Sequence, residues 1–170
     1  GALDNNGRIT FHGRDMAALP LHPRLAHMIL RGKTLGLGHT ASCLAALLSE
    51  QSHALRSFTD LSQAVSSFKT KRGPKPEERV QATVAQIIRL ASISTSESVH
   101  PDATGLLTAL AYPDRIARRQ SDNTYRLTSG RKAIWVQPDP LQAHEFLAIA
   151  ELDGDTSGAR IWRAAVLNRT

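Results

Sequence analysis

The stretch "NTYRLTSGRKAIWV", residues 123–136, decides how this chain divides. Its apolar and polar residues alternate around Ser129-Gly130, which is the pattern of a β-hairpin. Further on, "EFLAIAELDGDTSGARIWRAAVL" repeats the plan around a Gly- and Asp-rich turn. Nothing before residue 120 alternates in this way over comparable lengths. The reading is therefore an all-helical body over about 1–119, then a β segment over about 120–170. Four strands in so short a span are too few to close a barrel, so the expected β part is a partial antiparallel sheet with an open edge.

The body is read from spacing. "LDNNGRITFHG" places the turn Asn5-Asn6-Gly7 before an extended run, Arg8–Phe11, and "RDMAAL" follows as a helical turn ended by Pro20. Pro23 suits a first helical position, with Leu25, Met28 and Ile29 on one face until Gly36 and Gly38 break the helix. "HTASCLAALLSE" is an apolar helix. Thr59 is the expected N-cap of "DLSQAVSSF", which carries Leu61, Val65 and Phe68 inward. The longest helix spans about 76–92, with Val80, Val84, Ile87, Ile88 and Ala91 as its stripe and Glu77 and Glu78 complementing its dipole. "ATGLLTALA" is another buried helix.

At 170 residues the chain fits one domain or two small ones, and 41% hydrophobic content supports a packed core. A net charge of +6 favours an anionic partner, nucleic acid before membrane. The single cysteine, Cys43, excludes an internal disulfide, suits a reducing compartment and reads as a buried structural thiol. No apolar run is long enough to span a membrane and no signal peptide is evident, so the expectation is a cytoplasmic protein without membrane contact.

Catalytic signatures fall away on inspection. "HMILRGKTLGLG" (27–38) contains Gly32-Lys33-Thr34, the close of a phosphate-binding loop, but the required first glycine is replaced by His27 and the preceding residues have helical spacing. Lys33 and Thr34 are read as surface residues of a loop. Seven histidines contain no helical i, i+4 pair completed by a carboxylate or thiol, so no metal site is expected. There is no G-x-S-x-G elbow, and "ELDGD" lacks the alternating ligands of a calcium loop.

Charge placement is what remains. From Arg115 to Lys132 six cations (Arg115, Arg118, Arg119, Arg126, Arg131 and Lys132) face one acid, Asp122, with Tyr125 inside the segment and Trp135 after it. Such residues neutralise phosphates, and aromatic faces stack on single-stranded bases. A second cluster comprises Lys69, Lys71, Arg72 and Lys75. Two other readings stay open: a solvated basic face with Tyr125 and Trp135 filling the hairpin core, or arginines that position a partner domain through carboxylates.

"GALDNNGRITFHGRDMAALPLHPRLAHMIL" resembles the helicase-associated region of DEAH-type RNA helicases. "GLLTALAYPDRIARR", "YRLTSGRKA" and "EFLAIAELDG" are similar to the bacterial HrpB-type subgroup of ATP-dependent RNA helicases. The resemblance covers the chain, most weakly over 49–100, where the serine-rich 49–73 departs from the pattern. It implies the end of a winged-helix region at 1–20, a helical ratchet-like domain at 21–119 and a partial OB-like β segment at 120–170. It also implies RecA-like ATPase domains upstream, with ATP and Mg²⁺ bound there and no cofactor here. No catalytic residue of the family maps onto this chain. The implied role is a non-catalytic accessory module that helps bind and guide single-stranded RNA or DNA, with Tyr125 as a stacking residue; the alternative is a protein-interaction module docking on the ATPase core.

Overall fold

The computed structural model describes residues 1–49, 57–69, 78–154 and 158–168. The N-terminal hairpin chemistry is present as a Leu3–Ile9 bridge. The extended run then stops at Thr10, because the Thr10 hydroxyl accepts from the Gly13 N–H and caps α1 (Phe11–Ala17). Phe11 is thus the first helical residue rather than the last extended one.

Helix α2 (Pro23–Thr34) has Pro23 in its first turn and buries Leu25, Met28 and Ile29, as the spacing predicts. It runs through Gly32, Lys33 and Thr34, which corrects their expected place in a loop. The helix ends one residue later in a Schellman motif: the Leu37 N–H reaches the Gly32 carbonyl at 2.8 Å and the Gly36 N–H reaches that of Lys33 at 3.1 Å. Gly36 occupies the left-handed position this requires, at φ 69°. Lys33 then donates through Nζ to the Ala91 carbonyl at 2.8 Å.

Helix α3 (Gly38–Ser49) is buried along nearly its whole length, Leu44 and Leu47 completely, each contributing about 2 kcal/mol by removal from water. In α4 (Leu61–Ser66) the cap is Asp60 rather than Thr59. The Asp60 carboxylate accepts from the Ser62 N–H at 2.8 Å, whereas the Thr59 hydroxyl donates to Asp139 at 2.6 Å. Helix α5 (Glu78–Leu90) presents Val80, Val84 and Ile87 inward. The expected start of this helix near residue 76, with Glu77, lies outside the described residues. Helix α6 (Thr104–Ala111) completes the helical part and buries Leu107.

The β part differs from expectation in a decisive way. Five strands are present: β1 (Ile116–Arg119), β2 (Tyr125–Leu127), β3 (Lys132–Trp135), β4 (Phe146–Asp153) and β5 (Ala159–Val166). They close into a barrel in the order β1-β2-β3-β5-β4, an OB-like arrangement rather than a partial sheet with a free edge. The pairs β1–β2, β2–β3 and β4–β5 are antiparallel, β3 and β5 run parallel, and β1 closes the ring against β4. The strand that closes it is "IARR", which lies before residue 120. Small inward residues, Ala117, Ala133, Ala159 and Ala164, let so few strands curl tightly around Tyr125, Leu127, Leu147 and Ile161.

Helices and barrel share packing. Ala150 of β4 and Ala165 of β5 belong to the helical core, and α6 lies against both strands. A parallel bridge joins Asp60 to Ala164, whose N–H donates to the Thr59 carbonyl at 3.0 Å.

Candidate nucleic-acid interface

A strand turns alternate side chains to opposite faces. In β2 this sends Tyr125 and Leu127 into the barrel and Arg126 out. The register pairs Arg126 with Arg118 on β1 and with Lys132 on β3. Three cations from three adjacent strands therefore form one row across the outer face, their strands about 4.8 Å apart. Two of them have acidic neighbours: Arg118 Nε lies 3.1 Å from Glu145, and Lys132 Nζ lies 3.8 Å from Asp122. Arg118 also lies over the Phe146 ring. Asp122 stays ionised below the ordinary aspartate range, chiefly because the Thr124 hydroxyl and N–H donate to it. The Arg126 side chain makes no hydrogen bond or ion pair among the described residues.

The other expected phosphate ligands have different duties. Arg115 is part-buried: its Nη1 donates to the Ala150 carbonyl at 2.6 Å and its guanidinium stacks 4.8 Å from the Tyr112 ring centre. It fastens the end of the helical part to β4. Arg119 and Arg131 are exposed, but each holds a main-chain carbonyl, of Gln142 at 2.7 Å and of Gly154 at 3.1 Å. Tyr125 is not a stacking residue. It is 0% exposed, and its hydroxyl points to the carbonyls of His144 (2.9 Å) and Leu141 (3.2 Å), with burial pushing its pKa up. Trp135 packs against the same core. Of the second cluster, Lys69 is exposed just beyond α4; Lys71, Arg72 and Lys75 lie outside the described residues.

Two outward residues of β5 were missed, Arg160 and Trp162. Their signal was available in "ARIWRAAV", whose alternation puts both on the face opposite Ile161. Arg160 stands level with Ile134 of β3.

Elsewhere among the described residues, no cluster of side chains resembles a reaction centre. Cys43 is buried and its thiol is pushed up to about 12 by desolvation. His12 Nε2 and His27 Nδ1 lie 2.8 Å apart, and no three metal-binding side chains converge among the described residues. No helix among them is long and apolar enough to cross a membrane. A cleft of about 300 Å³ between α2 and the end of α6 is walled by Met16, Leu110 and Pro113, with the Arg24–Asp114 ion pair at its side.

That pair sets a pH response. Its hydrogen bond with Arg24 holds Asp114 below the ordinary carboxylate range, against a smaller desolvation effect. A depressed folded pKa gives stability that is present above the unfolded value, near 4, and lost as pH falls through the folded one. Both partners are over a third exposed, so the contribution is about 0.5 kcal/mol. Asp114→Asn should lower the melting temperature slightly at pH 7 and converge with the parent near pH 2, as read by thermal circular dichroism.

No family model matches the chain. Over 171 aligned residues, covering 99% of the chain, it is 34% identical to a protein of Escherichia coli (strain K12) described as ATP-dependent RNA helicase HrpB. Crystal structures of the E. coli DExH-box NTPase HrpB and of the E. coli DEAH/RHA helicase HrpB superpose on 99% of it, with TM-scores of 0.82 and 0.80 at 31% and 29% identity. The chain spans 20% of the length of each of these relatives. The resemblance read from "MAALPLHPRLAHM" and "AYPDRIARR" thus extends over nearly the whole chain, in sequence and in fold.

Proposed function

We propose that this chain, a relative of the C-terminal region of HrpB-type helicases, is a non-catalytic accessory module that helps bind and guide a single nucleic-acid strand, RNA or DNA, for RecA-like ATPase domains of the same protein. ATP and Mg²⁺ belong to those domains. Residues 1–20 are the end of a winged-helix unit, the helices that follow form the ratchet-like bundle, and the barrel is the OB-like unit. The observation that carries the reading is the Arg118–Arg126–Lys132 row across three strands of the closed barrel. An outer barrel face lined by cations tracks a phosphate backbone, and binding of this kind is strongly salt-dependent.

Fluorescence anisotropy with a labelled single-stranded RNA tests it. Affinity should fall linearly with salt on a log–log plot, and Arg126→Ala should weaken binding uniformly across sequences and make the slope shallower by about 0.7. Salt-independent binding, or none at low salt, overturns the reading.

One observation favours the docking alternative. Leu3 and Ile9 face each other across their bridge and are exposed, and Phe11 follows at 81% exposure. An apolar patch of this kind marks a protein contact. Capture of the ATPase domains in excess competitor RNA, lost on Phe11→Ser, would assign this face to docking.

A further inference from the structure

We propose that Trp162, half-exposed on the outer face of β5, is the platform on which the barrel stacks a nucleic-acid base. This rests on the nucleic-acid reading above and names the residue that reads the bases rather than the phosphates.

Trp162 is 46% exposed although the barrel interior is filled without it, by Tyr125, Leu127, Leu147 and Ile161 among others. Its surroundings follow from the ladder. The parallel register sets Ile134 beside Arg160 and Trp135 beside Ile161, where β3 ends, and Val136 and Trp162 are the next residues of the two segments. Ile134 and Val136 are themselves about half exposed. Trp162 is therefore the aromatic member of a small apolar strip, with Arg160 two residues before it on the same face of β5. Arg163, the next residue, is outward as well, because the ladder is irregular between Glu151 and Leu152, and it is paired with Glu151 across from it. The acid opposite Arg160 is Asp153 on β4.

The strip continues the cationic row. Lys132 begins β3 and Trp135 ends it three residues further along, about 10 Å at the rise of a strand. A strand of nucleotides whose phosphates meet Arg126 and Lys132 reaches Trp162 within a short run, inside the roughly 4–16 nucleotides that one fold of this kind covers. The flat face of an indole stacks on any base, so the contact adds affinity without sequence preference. The same strip could also suit a protein, since exposed tryptophan and arginine anchor interfaces. The row of cations beside it, with Arg126 lacking any acid among the described residues, favours the polyanion.

The experiment compares the parent chain with Trp162→Ala and Trp162→Phe, using a 12-nucleotide oligouridylate and an abasic oligomer of the same length. Trp162→Ala should keep its melting temperature and bind the oligouridylate about 10-fold more weakly. Trp162→Phe should recover most of the loss, and all three should bind the abasic oligomer alike. Since the chain has two tryptophans, a Trp135→Phe background leaves Trp162 as the sole indole, and its fluorescence should be quenched by the oligouridylate but not by the abasic oligomer. Equal oligouridylate binding by parent and Trp162→Ala overturns the stacking role and leaves the phosphate reading standing. Equal losses on both oligomers overturn it too, and loss of capture of the ATPase domains with unchanged RNA binding assigns the strip to a protein instead. Binding of neither oligomer by the parent overturns both proposals.

Discussion

Gly105→Ala is expected to lower the melting temperature by about 6–12 °C, corresponding to roughly 3 kcal/mol for a chain of this size. The cause is the closeness of α6 to the barrel. A Cβ at position 105 would stand 1.8 Å from the Val166 carbonyl oxygen and 2.7 Å from its carbon. Both atoms are main chain of β5, so no rotamer change relieves the contact and the helix must lift away. Lifting it strips cover from Leu107 and from Ala150 and Ala165, which the helical and barrel parts share. Gly158→Ala is the matched control, because a Cβ there meets nothing within 4 Å. Similar melting temperatures for the two variants would show that helix and barrel do not make this contact in solution.

Tyr125→Ala carries the other large effect. Removing a wholly buried aromatic ring from so small a core should destabilise the barrel by about 3–5 kcal/mol. Tyr125→Phe separates the ring from its hydroxyl. It leaves the Leu141 and His144 carbonyls without that donor and should cost about 1–2 kcal/mol. RNA affinity should be unchanged in Tyr125→Phe at a temperature where the variant is folded. A Tyr125→Phe variant of parental stability that binds RNA more weakly would return the side chain to the surface.

Tyr125 also shows what could be read from sequence and what could not. Alternation across residues 123–136 identified the hairpin and, followed strictly, already puts Tyr125 on the face opposite Arg126. Charge and aromatic content drew it into the interface; the pleat removes it. The stripe Val80, Val84, Ile87 was legible for the same reason, a long period repeated in one segment. Strand β1 was not. "IARR" is four residues long with only Ala117 pointing inward, and its pairing with β4 is decided some thirty residues further on. Non-local pairing of so short a segment leaves no periodicity to detect, and with β1 unseen the barrel could not be closed. The cations divide likewise: Arg115 and Arg126 look alike as letters, but one sits in a turn aimed at the Ala150 carbonyl and the other on an outward strand position. Gly32-Lys33-Thr34 was read as a loop, yet it lies inside α2, whose end is set by Gly36.

Closure of the strand ring constrains how this protein can associate with others. Where pairing around the ring lapses, other groups stand in: the Ala150 carbonyl, at the irregularity between Ile149 and Glu151, is taken by Arg115, and beyond Ile161 the flank of β5 is met at Ala164 by Thr59. These two backbone groups are thereby unavailable to a foreign strand. Peptide capture by strand addition and strand-exchanged oligomers are disfavoured at this barrel. A partner of the barrel is left with side-chain faces and loops.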